Sequence, residues 1–403
     1  MAPTAPDIAG TVPPGIEIAQ PQKKTALAEV LQRLGAASGR PLGALLGDFI
    51  RTSLGPGKLS FDEFVALGLY DPSRCPGVDI RSFVGLGAMQ RVWRRANYRM
   101  EFDGLIANKI AMGALLHAHG FPVVPLVAMF SLAAGYPGER SLRTKEALRG
   151  FLSDPAHYPL FGKPVGGTQS LGTASFVHYN AAANALVGHT GSAQDLDRFI
   201  NDVAEHFPDG YMFQPHLAPH AATKTICGDR LATVRVVTIA GVSGPKILRV
   251  CEKIPAGANA ADNYWRPGNL LVQLDPQSGL RGRVTSGKGL ELREHTHHPD
   301  SGAVISGTFV PNWAVVCDLA REAARLMKET GLMGWDIAPV DAGAVIVDAN
   351  ASPDLMLPQL ADRRGILDAE LLSFLDERTR SEKVWKRELR ATSAAQHRAS
   401  FLN

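Results

Sequence analysis

Three features of the 403-residue sequence predict an α+β fold. Helical periodicity dominates residues 23–70, and long strand patterns dominate residues 231–275. A proline-containing link near residues 215–222 separates two regions that are rich in strands, with helices interspersed among them. Because strands and helices do not alternate regularly, as they would around a parallel sheet, the pattern favours an α+β architecture.

The composition indicates a soluble, cytoplasmic protein. Hydrophobic residues make up 45% of the chain, charged residues make up 20%, and the formal net charge is +3. This nearly balanced charge does not indicate binding to nucleic acid or to an anionic membrane. No run of 18 apolar residues indicates a membrane span. The first 22 residues predict a flexible tail and do not match a signal peptide. The cysteines are far apart without a CxxC pair, as is typical of reduced core residues: Cys75, Cys227, Cys251 and Cys317.

The segment that follows the N-terminal helices predicts a helix and then a strand. Residues 103–120 read "DGLIANKIAMGALLHAHG", with Asp103 as the expected cap and Gly120 as the expected stop. Residues 121–130, "FPVVPLVAMF", predict a strand.

The rest of the chain predicts further strands and two long helices. The strands are expected at 158–164, 173–179, 210–217, 231–240, 245–254 and 269–275, and the helices at 195–207 and 311–331. The final segment, residues 368–398, is charged and helical. A solvated terminal helix is one interpretation of it, and a partner-binding helix is the other.

A predicted hairpin over residues 334–354 reads "GWDIAPVDAGAVIVDANASPD". We expect residues 341–343 to form a three-residue loop in which the glycine has a positive φ. Val340 then pairs with Ala344, and this register continues along both strands.

In that register two acids face each other inside an apolar hairpin. Asp336 lies opposite Asp348, and Asn350 lies on the same face of the sheet. A bound cation would relieve the repulsion between the carboxylates, and two carboxylates with an amide oxygen suit a hard ion such as Mg²⁺. The alternative is that the acids lie at a solvated sheet edge or pair with basic residues.

Two glycine-containing segments approach known phosphate motifs but do not match them. Residues 282–289, "GRVTSGKG", lack the final Ser or Thr of the P-loop, because Gly289 occupies that position. Residues 85–90, "GLGAMQ", lack the third glycine of the dinucleotide motif and follow no clear strand. Both are expected to be ordinary turns.

The segment "FGKPVGGTQSLGTASF" is a better candidate for binding phosphate. Lys163 ends a predicted strand, and three glycines follow within nine residues. Glycines let backbone amides approach an anion closely, and Thr168, Gln169 and Ser170 add donors. A loop of this kind can close over a triphosphate, although a surface hairpin is the common alternative.

Five segments, in this order, carry a family resemblance: "ANKIAMGALLHAHGFPVVP", "PLFGKPVGGTQSLG", "YMFQPHLAPH", "LATVRVVTI" and "GWDIAPVDAGAVIVDANASPD". Over about residues 80–365 the chain resembles the ATP-grasp superfamily, and within it the sugar-transfer-associated ATP-grasp group. The resemblance implies two α+β lobes that clasp ATP, preceded by an N-terminal helical region. The implied divisions are a tail (1–22), a helical region (23–100), an N-lobe (101–218), a C-lobe (219–367) and a C-terminal helix (368–403).

The resemblance also implies roles for single residues. Arg235 and Lys163 would be catalytic, and the backbone of residues 213–217 would hold adenine. Asp336, Asp348 and Asn350 would bind one or two Mg²⁺ ions. The implied nucleotide-binding residues are Lys109, Lys163, Gly166, Gly167, Thr168, Gln169, Ser170, Gln214, Pro215, His216, Leu217 and His220.

Two positions depart from the pattern of the family. Most relatives carry Glu where this chain has Asp348, and many hold ribose with an acidic residue where the hinge here offers only His220. These departures leave the number of metal ions and the nucleotide affinity open, but not the fold.

The implied activity is that of an ATP-dependent carboxylate–amine ligase. A substrate carboxylate would attack the γ-phosphate to give an acyl phosphate, and an amine would then displace phosphate to form an amide. The expected partners are therefore a small carboxylic acid and an amine, with neither nucleic acid nor membrane. A phosphotransferase and a non-catalytic nucleotide-binding protein are the alternatives.

Four more residues are candidates for contact with the acceptor substrate. Arg249 and Lys253 share one face of a predicted strand, where they could meet a carboxylate or form a salt-bridged surface. Asp262 and Asn263 could touch the substrate or belong to a turn.

Three clustered histidines, His295, His297 and His298, suggest a zinc site at first sight. No nearby acid or cysteine completes the ligand spacing. A loop lining the substrate pocket, or a plain surface loop, is the favoured interpretation.

Overall fold

The structure is a computed structural model that describes residues 27–133, 141–166, 172–189, 191–207 and 209–400. The described residues confirm the predicted α+β class, because they contain two seven-stranded sheets and a set of helices. Residues 124–217 form one compact unit, and residues 27–123 together with 218–400 form a second. The predicted boundaries of the two lobes stay predictions. Residues 103–123 belong to the second unit and not with residues 124–217.

Twelve α-helices lie in the described part of the chain. They are α1 (Leu27–Ser38), α2 (Leu42–Leu54), α3 (Phe61–Ala66), α4 (Leu86–Ala96), α5 (Asp103–Ala107), α6 (Lys109–Ala118), α7 (Lys145–Ser153), α8 (Leu196–His206), α9 (Ala221–Cys227), α10 (Trp313–Leu326), α11 (Met356–Asp362) and α12 (Ala369–Ser400).

Fourteen strands are described. They are β1 (Ala128–Phe130), β2 (Ser141–Leu142), β3 (Leu160–Pro164), β4 (Ala174–Asn180), β5 (Ala185–Gly188), β6 (Ala193–Asp195), β7 (Tyr211–Pro215), β8 (Thr233–Gly241), β9 (Gly244–Ile254), β10 (Leu270–Leu274), β11 (Arg281–Ser286), β12 (Arg293–His295), β13 (Leu332–Val340) and β14 (Gly343–Asn350).

The sheet of the first unit has the strand order β2-β1-β7-β3-β4-β5-β6. Only the β1–β2 pair is parallel. Helices α7 and α8 cover one face of this sheet, where Phe199, Tyr211 and Phe213 are buried. Gly162 lets the Tyr211 ring pack against β3, because a Cβ there would lie 2.6 Å from Tyr211 Cε1.

The strand predicted over residues 121–130 is much shorter in the structure. Only β1, Ala128–Phe130, is regular strand. Pro122 and Pro125 have no N–H group to donate to a ladder, which explains why the apolar pattern does not extend the strand.

The sheet of the second unit is antiparallel, with the order β12-β11-β10-β9-β8-β13-β14. On one face Val236 and Trp335 pack in the same core as Ala320 of α10. On the other face Val237 and Leu271 share a core with residues of α3, α4, α11 and α12. The inner strands β8 and β13 are therefore buried on both faces, which requires a buried charge on either face to be paired.

The β13–β14 hairpin corrects one step of the sequence argument. The connection has two residues, not three, because Val340 pairs with Gly343 and not with Ala344. A β-bulge between Asp336 and Ile337 then shifts the register by one residue. The two differences cancel, so that Asp336 does lie opposite Asp348 as predicted.

The helix predicted over residues 103–120 is divided into α5 and α6 at Asn108. Asn108 Oδ1 accepts hydrogen bonds from the N–H groups of Ile110 and Ala111, each 3.1 Å long. Asn108, and not the predicted Asp103, therefore caps α6. Gly120, with a φ of 77°, follows the end of α6 as predicted.

Other sequence predictions have mixed outcomes. All four cysteines are free and buried, as expected for core residues. The C-terminal segment forms the helix α12, Ala369–Ser400. The predicted tail, residues 1–22, lies outside the described residues. Among the helices that are described, none combines the length and the apolar character that a membrane span requires.

Candidate functional site

Charged side chains from three adjacent strands form a row on one face of the second sheet. Asp348 on β14 lies opposite Asp336 on β13, and Asp336 lies opposite Arg235 on β8. Directly paired residues present their side chains on the same face. The strand order therefore brings together groups that are about a hundred residues apart in sequence.

Arg235 and Asp336 form a buried, two-point ion pair. Arg235 Nε donates to Asp336 Oδ1 at 2.7 Å, and Arg235 Nη2 donates to Oδ2 at 3.0 Å. Lys253 Nζ lies 3.2 Å from the same Oδ2 atom. Burial alone would raise the pKa of Asp336, but the guanidinium and the ammonium group hold it well below its usual range.

The buried Lys253 ammonium bridges two carboxylates. It lies 3.6 Å from Asp262 Oδ1 as well as near Asp336. Burial lowers the pKa of Lys253, but the two carboxylates outweigh it and the net shift is upward. For Asp262 burial dominates and raises the pKa. The Thr233 hydroxyl donates to Asp262 Oδ2, so that this carboxyl is held from two strands.

The loop that carries Asp262 is shaped by Asn269, which is fully buried. Asn269 Nδ2 donates to the carbonyls of Ala261 and Asn263 at 2.8 and 2.7 Å, and its Oδ1 accepts from Ala256 N–H at 2.9 Å. Neither Thr233 nor Asn269 was predicted from the sequence. For Thr233 a signal existed, because it precedes Arg235 by two residues and so shares its strand face.

Asp348 and Asn350 differ from Asp336 in having available oxygens. Both side chains are partly exposed, and neither forms a hydrogen bond or ion pair with the described residues. The donor chemistry, a carboxylate beside an amide oxygen, fits a hard divalent cation. Both oxygens of Asp336 are instead engaged by Arg235 and Lys253. Of the three predicted metal ligands, Asp348 and Asn350 therefore have available oxygens, whereas both oxygens of Asp336 are already engaged.

In the first unit, Lys163 and Gln214 lie on the sheet face opposite α7 and α8. Their strand neighbours Gly162 and Phe213 pair with each other on the helix-covered side, so alternation places these two on the other side. Lys163 is 7% exposed and Gln214 is 6% exposed.

The predicted adenine segment already uses several of its polar groups. Gln214 Nε2 donates to the Val124 carbonyl at 2.9 Å, and His216 N–H donates to the Pro159 carbonyl at 3.0 Å. Pro215 has no N–H group. The Leu217 N–H donates to no group among the described residues, which makes it the available donor of this segment.

Gly167, Thr168, Gln169 and Ser170 of the predicted phosphate loop lie outside the described residues, whereas Gly166 follows directly after Val165 at the end of β3.

The third glycine of that loop, Gly172, is described. It has a φ of 73°, and its carbonyl accepts a 2.8 Å hydrogen bond from the Tyr211 hydroxyl. A Cβ at this position would lie 2.2 Å from the Phe207 ring. Glycine is therefore required at this position for packing as well as for backbone conformation.

Two further predicted nucleotide residues lie at helix N-termini of the second unit. Lys109 is the first residue of α6, next to the cap Asn108. His220 caps α9, because its Nδ1 accepts from Ala222 N–H at 3.1 Å. Its Nε2 lies 3.8 Å from Asp341 Oδ1 in the hairpin turn. His220 is thus held by its own helix and by the β13–β14 connection.

Two of the substrate candidates form structural contacts. Arg249 donates to the Leu248 carbonyl and to Asp368, and its Nε lies 3.8 Å from Asp362. This is the salt-bridged arrangement that the sequence left as one alternative. Asn263 Oδ1 accepts from Trp265 N–H at 3.2 Å, which is a turn contact.

The three histidines make separate contacts. His295 Nε2 is 2.7 Å from Ser286 Oγ, His297 Nδ1 is 2.8 Å from Thr296 Oγ1, and His298 Nε2 is 2.9 Å from the Pro255 carbonyl. Across the part of the chain that the structure describes, no group of three or more His, Cys, Asp or Glu side chains is arranged to hold a metal ion.

A comparison with protein families identifies the class of protein to which the two sheets and the charged row belong. Residues 89–373 match the family described as "Sugar-transfer associated ATP-grasp". Because the match covers most of the sequence, the chain belongs to this family, and the resemblance inferred from the five segments is confirmed. No curated protein matches the chain.

Solved structures to which the chain is similar include two D-alanine–D-alanine ligases and an ATP-grasp ligase. The D-alanine–D-alanine ligase from Coxiella burnetii is 13% identical with a TM-score of 0.43, covering 73% of this chain and 62% of that one. The corresponding ligase from Bacillus anthracis is 13% identical with a TM-score of 0.39, covering 70% and 69%. The ATP-grasp ligase PsnB, solved with a minimal precursor, is 15% identical with a TM-score of 0.36, covering 70% and 62%. The chain thus spans 62% of the Coxiella enzyme's length.

Proposed function

We propose that this protein is an ATP-dependent carboxylate–amine ligase that forms an amide through an acyl phosphate. The charged row of Asp348, Asp336 and Arg235 carries the proposal, because it places a cation on β8 and a free carboxylate on β14 on the same sheet face, with only β13 between them. Membership in an ATP-grasp family supports ATP as the co-substrate. We also propose that the protein is located in the cytoplasm.

Arg235 has one donor group left for a phosphate. Its Nε and Nη2 are bound by Asp336, while Nη1 has no partner among the described residues. Burial alone would lower the pKa of Arg235, but the Asp336 carboxylate that orients the guanidinium outweighs burial and raises the pKa, so that Arg235 stays charged. A fixed cation of this kind stabilises the charge that develops on a phosphoryl group during transfer.

Asp348 and Asn350 are the residues that would hold Mg²⁺. When bound, Mg²⁺ would neutralise and orient the phosphate oxygens of ATP. The predicted role of Asp336 as a third ligand stays a prediction, since Arg235 and Lys253 hold both of its oxygens.

In the proposed reaction, a carboxylate oxygen of the substrate attacks the γ-phosphorus while the bond to the bridging oxygen of ADP breaks. An amine nitrogen then attacks the acyl carbon, loses a proton and expels inorganic phosphate. Lys163 and Lys109 are proposed to bind phosphate oxygens, and the Leu217 N–H is proposed to bind the adenine edge. These residues position the reactants and stabilise charge. The acyl phosphate itself activates the carboxylate for attack by the amine.

Hydroxylamine tests the proposal because it traps any acyl phosphate. The protein is incubated with Mg-ATP, hydroxylamine and a pool of carboxylic acids, and products are identified by mass spectrometry. We expect one hydroxamate together with an equal amount of ADP. A phosphorylated alcohol would instead show phosphotransfer, and ATP binding without turnover on any acid of a broad pool would contradict the ligase.

A further inference from the structure

Three arginines of the second unit converge near the β11–β12 edge of its sheet. Arg283 lies on β11, Arg363 directly follows the end of α11, and Arg74 lies in the segment between α3 and α4. All three side chains are partly buried. None of them takes part in the proposed reaction.

Contacts with α11 and β12 bring two of these arginines together. Arg283 Nη1 donates to the Ala361 carbonyl at 3.2 Å, and Ala361 precedes Arg363 by two residues. Arg363 Nη2 donates to Glu294 on β12. Glu294 in turn pairs with Thr285, which lies two residues from Arg283 on β11. The end of α11 and the two edge strands therefore hold both guanidinium groups in one place.

Arg74 reaches the same place from the other side of the loop before α4. A Cβ on Gly68 would lie 3.1 Å from Arg74 Cδ and 3.2 Å from Leu292 Cδ1, so these two side chains are neighbours. Leu292 directly precedes β12 and lies two residues before Glu294.

The Glu294 carboxylate responds to all three cations. Burial alone would raise the pKa of Glu294, but the hydrogen bond and the charge of Arg363 lower it. The charges of Arg283 and Arg74 lower it further, and the net shift is downward. All three guanidinium groups therefore lie within electrostatic reach of one carboxylate.

The carboxylates of this region do not satisfy the three cations. Arg283 forms no ion pair with a described residue, and burial together with the charge of Arg363 lowers its pKa. Arg74 Nε is buried without a hydrogen-bond partner, and Asp71 Oδ2 lies 3.7 Å from it. Like charges that are partly removed from water disfavour each other, and a bound anion would relieve this cost.

The backbone does not explain the arginine at position 363. Arg363 has a φ of 51°, in the left-handed region that glycine favours after the end of a helix. A charged side chain at this position therefore calls for a reason outside the backbone conformation.

We propose that Arg74, Arg283 and Arg363 bind the phosphate group of a small molecule. Guanidinium groups that converge from three elements need several acceptor oxygens, which a phosphate offers, whereas a single guanidinium already matches both oxygens of a carboxylate. In the sheet β11 lies three strands from β8, or about 14 Å, so the site is separate from Arg235. The inference does not depend on the proposed ligase activity.

The test titrates the full-length protein with inorganic phosphate by isothermal titration calorimetry and compares Arg283→Gln, Arg363→Gly and Arg40→Gln with the wild type. Arg40 is a matched control, because it is a partly buried arginine of the same unit whose Nη2 donates to Asp48 at 2.7 Å. We expect Arg283→Gln and Arg363→Gly each to weaken phosphate binding about tenfold or more, since each loses charge-assisted hydrogen bonds. Arg40→Gln should bind phosphate as the wild type does.

Melting temperatures without phosphate give a second readout. Arg283→Gln and Arg363→Gly should melt at the wild-type temperature, because Arg283 has no carboxylate partner and glycine suits the φ of residue 363. Wild-type phosphate affinity in both variants would overturn the inference, and so would the absence of phosphate binding to the wild type. Acetate that binds as tightly as phosphate, with the same losses in both variants, would overturn the assignment to phosphate in favour of a carboxylate.

Discussion

The Arg281–Glu252 and Arg235–Asp336 pairs lie on opposite faces of the sheet of the second unit, and they differ in one respect. Arg281 Nε and Nη2 donate to Glu252 at 2.6 and 2.7 Å, and its Nη1 donates to the Thr308 hydroxyl and the Phe309 carbonyl. Every nitrogen of that guanidinium has a partner. Arg235 makes the same two-point contact, but its Nη1 has no partner among the described residues.

The difference separates a pair whose donors are all used within the protein from a pair that we propose to be functional. A fully bonded ion pair has no capacity left for a ligand, and it serves to satisfy charges that the core has buried. A pair with a spare donor, next to the free oxygens of Asp348, can still bind a charged group. Burial alone does not distinguish them, since both arginines are less than 10% exposed.

The largest effect is expected at the structural pair. Glu252→Ala leaves the Arg281 guanidinium buried with no carboxylate, and the free energy of unfolding should fall by about 3–5 kcal/mol. Denaturant unfolding measures this loss. The ATP affinity of the folded variant should stay at the wild-type value. A variant as stable as the wild type would show that water already reaches this pair.

Removal of the free acid should act on turnover and not on stability. Asp348→Ala should lower hydroxamate formation by about 10²–10³, and Lys163→Ala by a similar factor, because each loses a charge-stabilising group. Asp348 has no bonded partner among the described residues, so the free energy of unfolding of Asp348→Ala should change by less than about 0.5 kcal/mol. Near-wild-type turnover in either variant would contradict the assigned roles.

A third carboxylate, that of the partly buried Asp362, tests how the distance to an arginine sets the pKa. Asp362 Oδ2 lies 3.8 Å from Arg249 Nε, and burial outweighs this cation and raises the pKa to about 6. Since the folded-state pKa lies above the unfolded value, the folded protein binds the proton more tightly. Stability should therefore fall as the pH rises from about 4 to about 6, by roughly 3 kcal/mol from this group.

Asp362→Asn removes this dependence. The free energy of unfolding of the variant, relative to wild type, should increase across the same pH range. It is measured by urea unfolding at several pH values. A difference that stays constant with pH would show that Asp362 titrates normally.

The smallest effect is expected at an exposed pair on α10. Arg321 Nη1 lies 2.8 Å from Asp318 Oδ1, and the two side chains are 43% and 73% exposed. Asp318→Asn should change the free energy of unfolding by less than about 0.5 kcal/mol, because water and salt screen the interaction. A loss similar to that of Glu252→Ala would mean that exposure does not control the strength of these pairs.

Local patterns predicted much of the fold and part of the site. Alternation and turn chemistry predicted the β13–β14 hairpin and the opposition of Asp336 and Asp348, although the two-residue turn and the bulge were not predicted. Prolines shortened the strand at β1, and Asn108 divided a helix whose apolar pattern is continuous. These errors arise because periodicity reports which side chains are buried, not where each backbone donor finds its acceptor.

The sequence by itself determined the α+β class, the family and the residues that could carry charge chemistry. Only the tertiary structure decided which of those charges remain available. Arg235 meets Asp336 because β8 and β13 are neighbours in the sheet, and Lys253 reaches the same carboxylate from β9. Such pairings join strands far apart in sequence, so no local pattern specifies them. Burial requires the charges on these inner strands to find partners, whereas Asp348 and Asn350 lie partly exposed on the edge strand β14 and keep their oxygens available for the predicted metal.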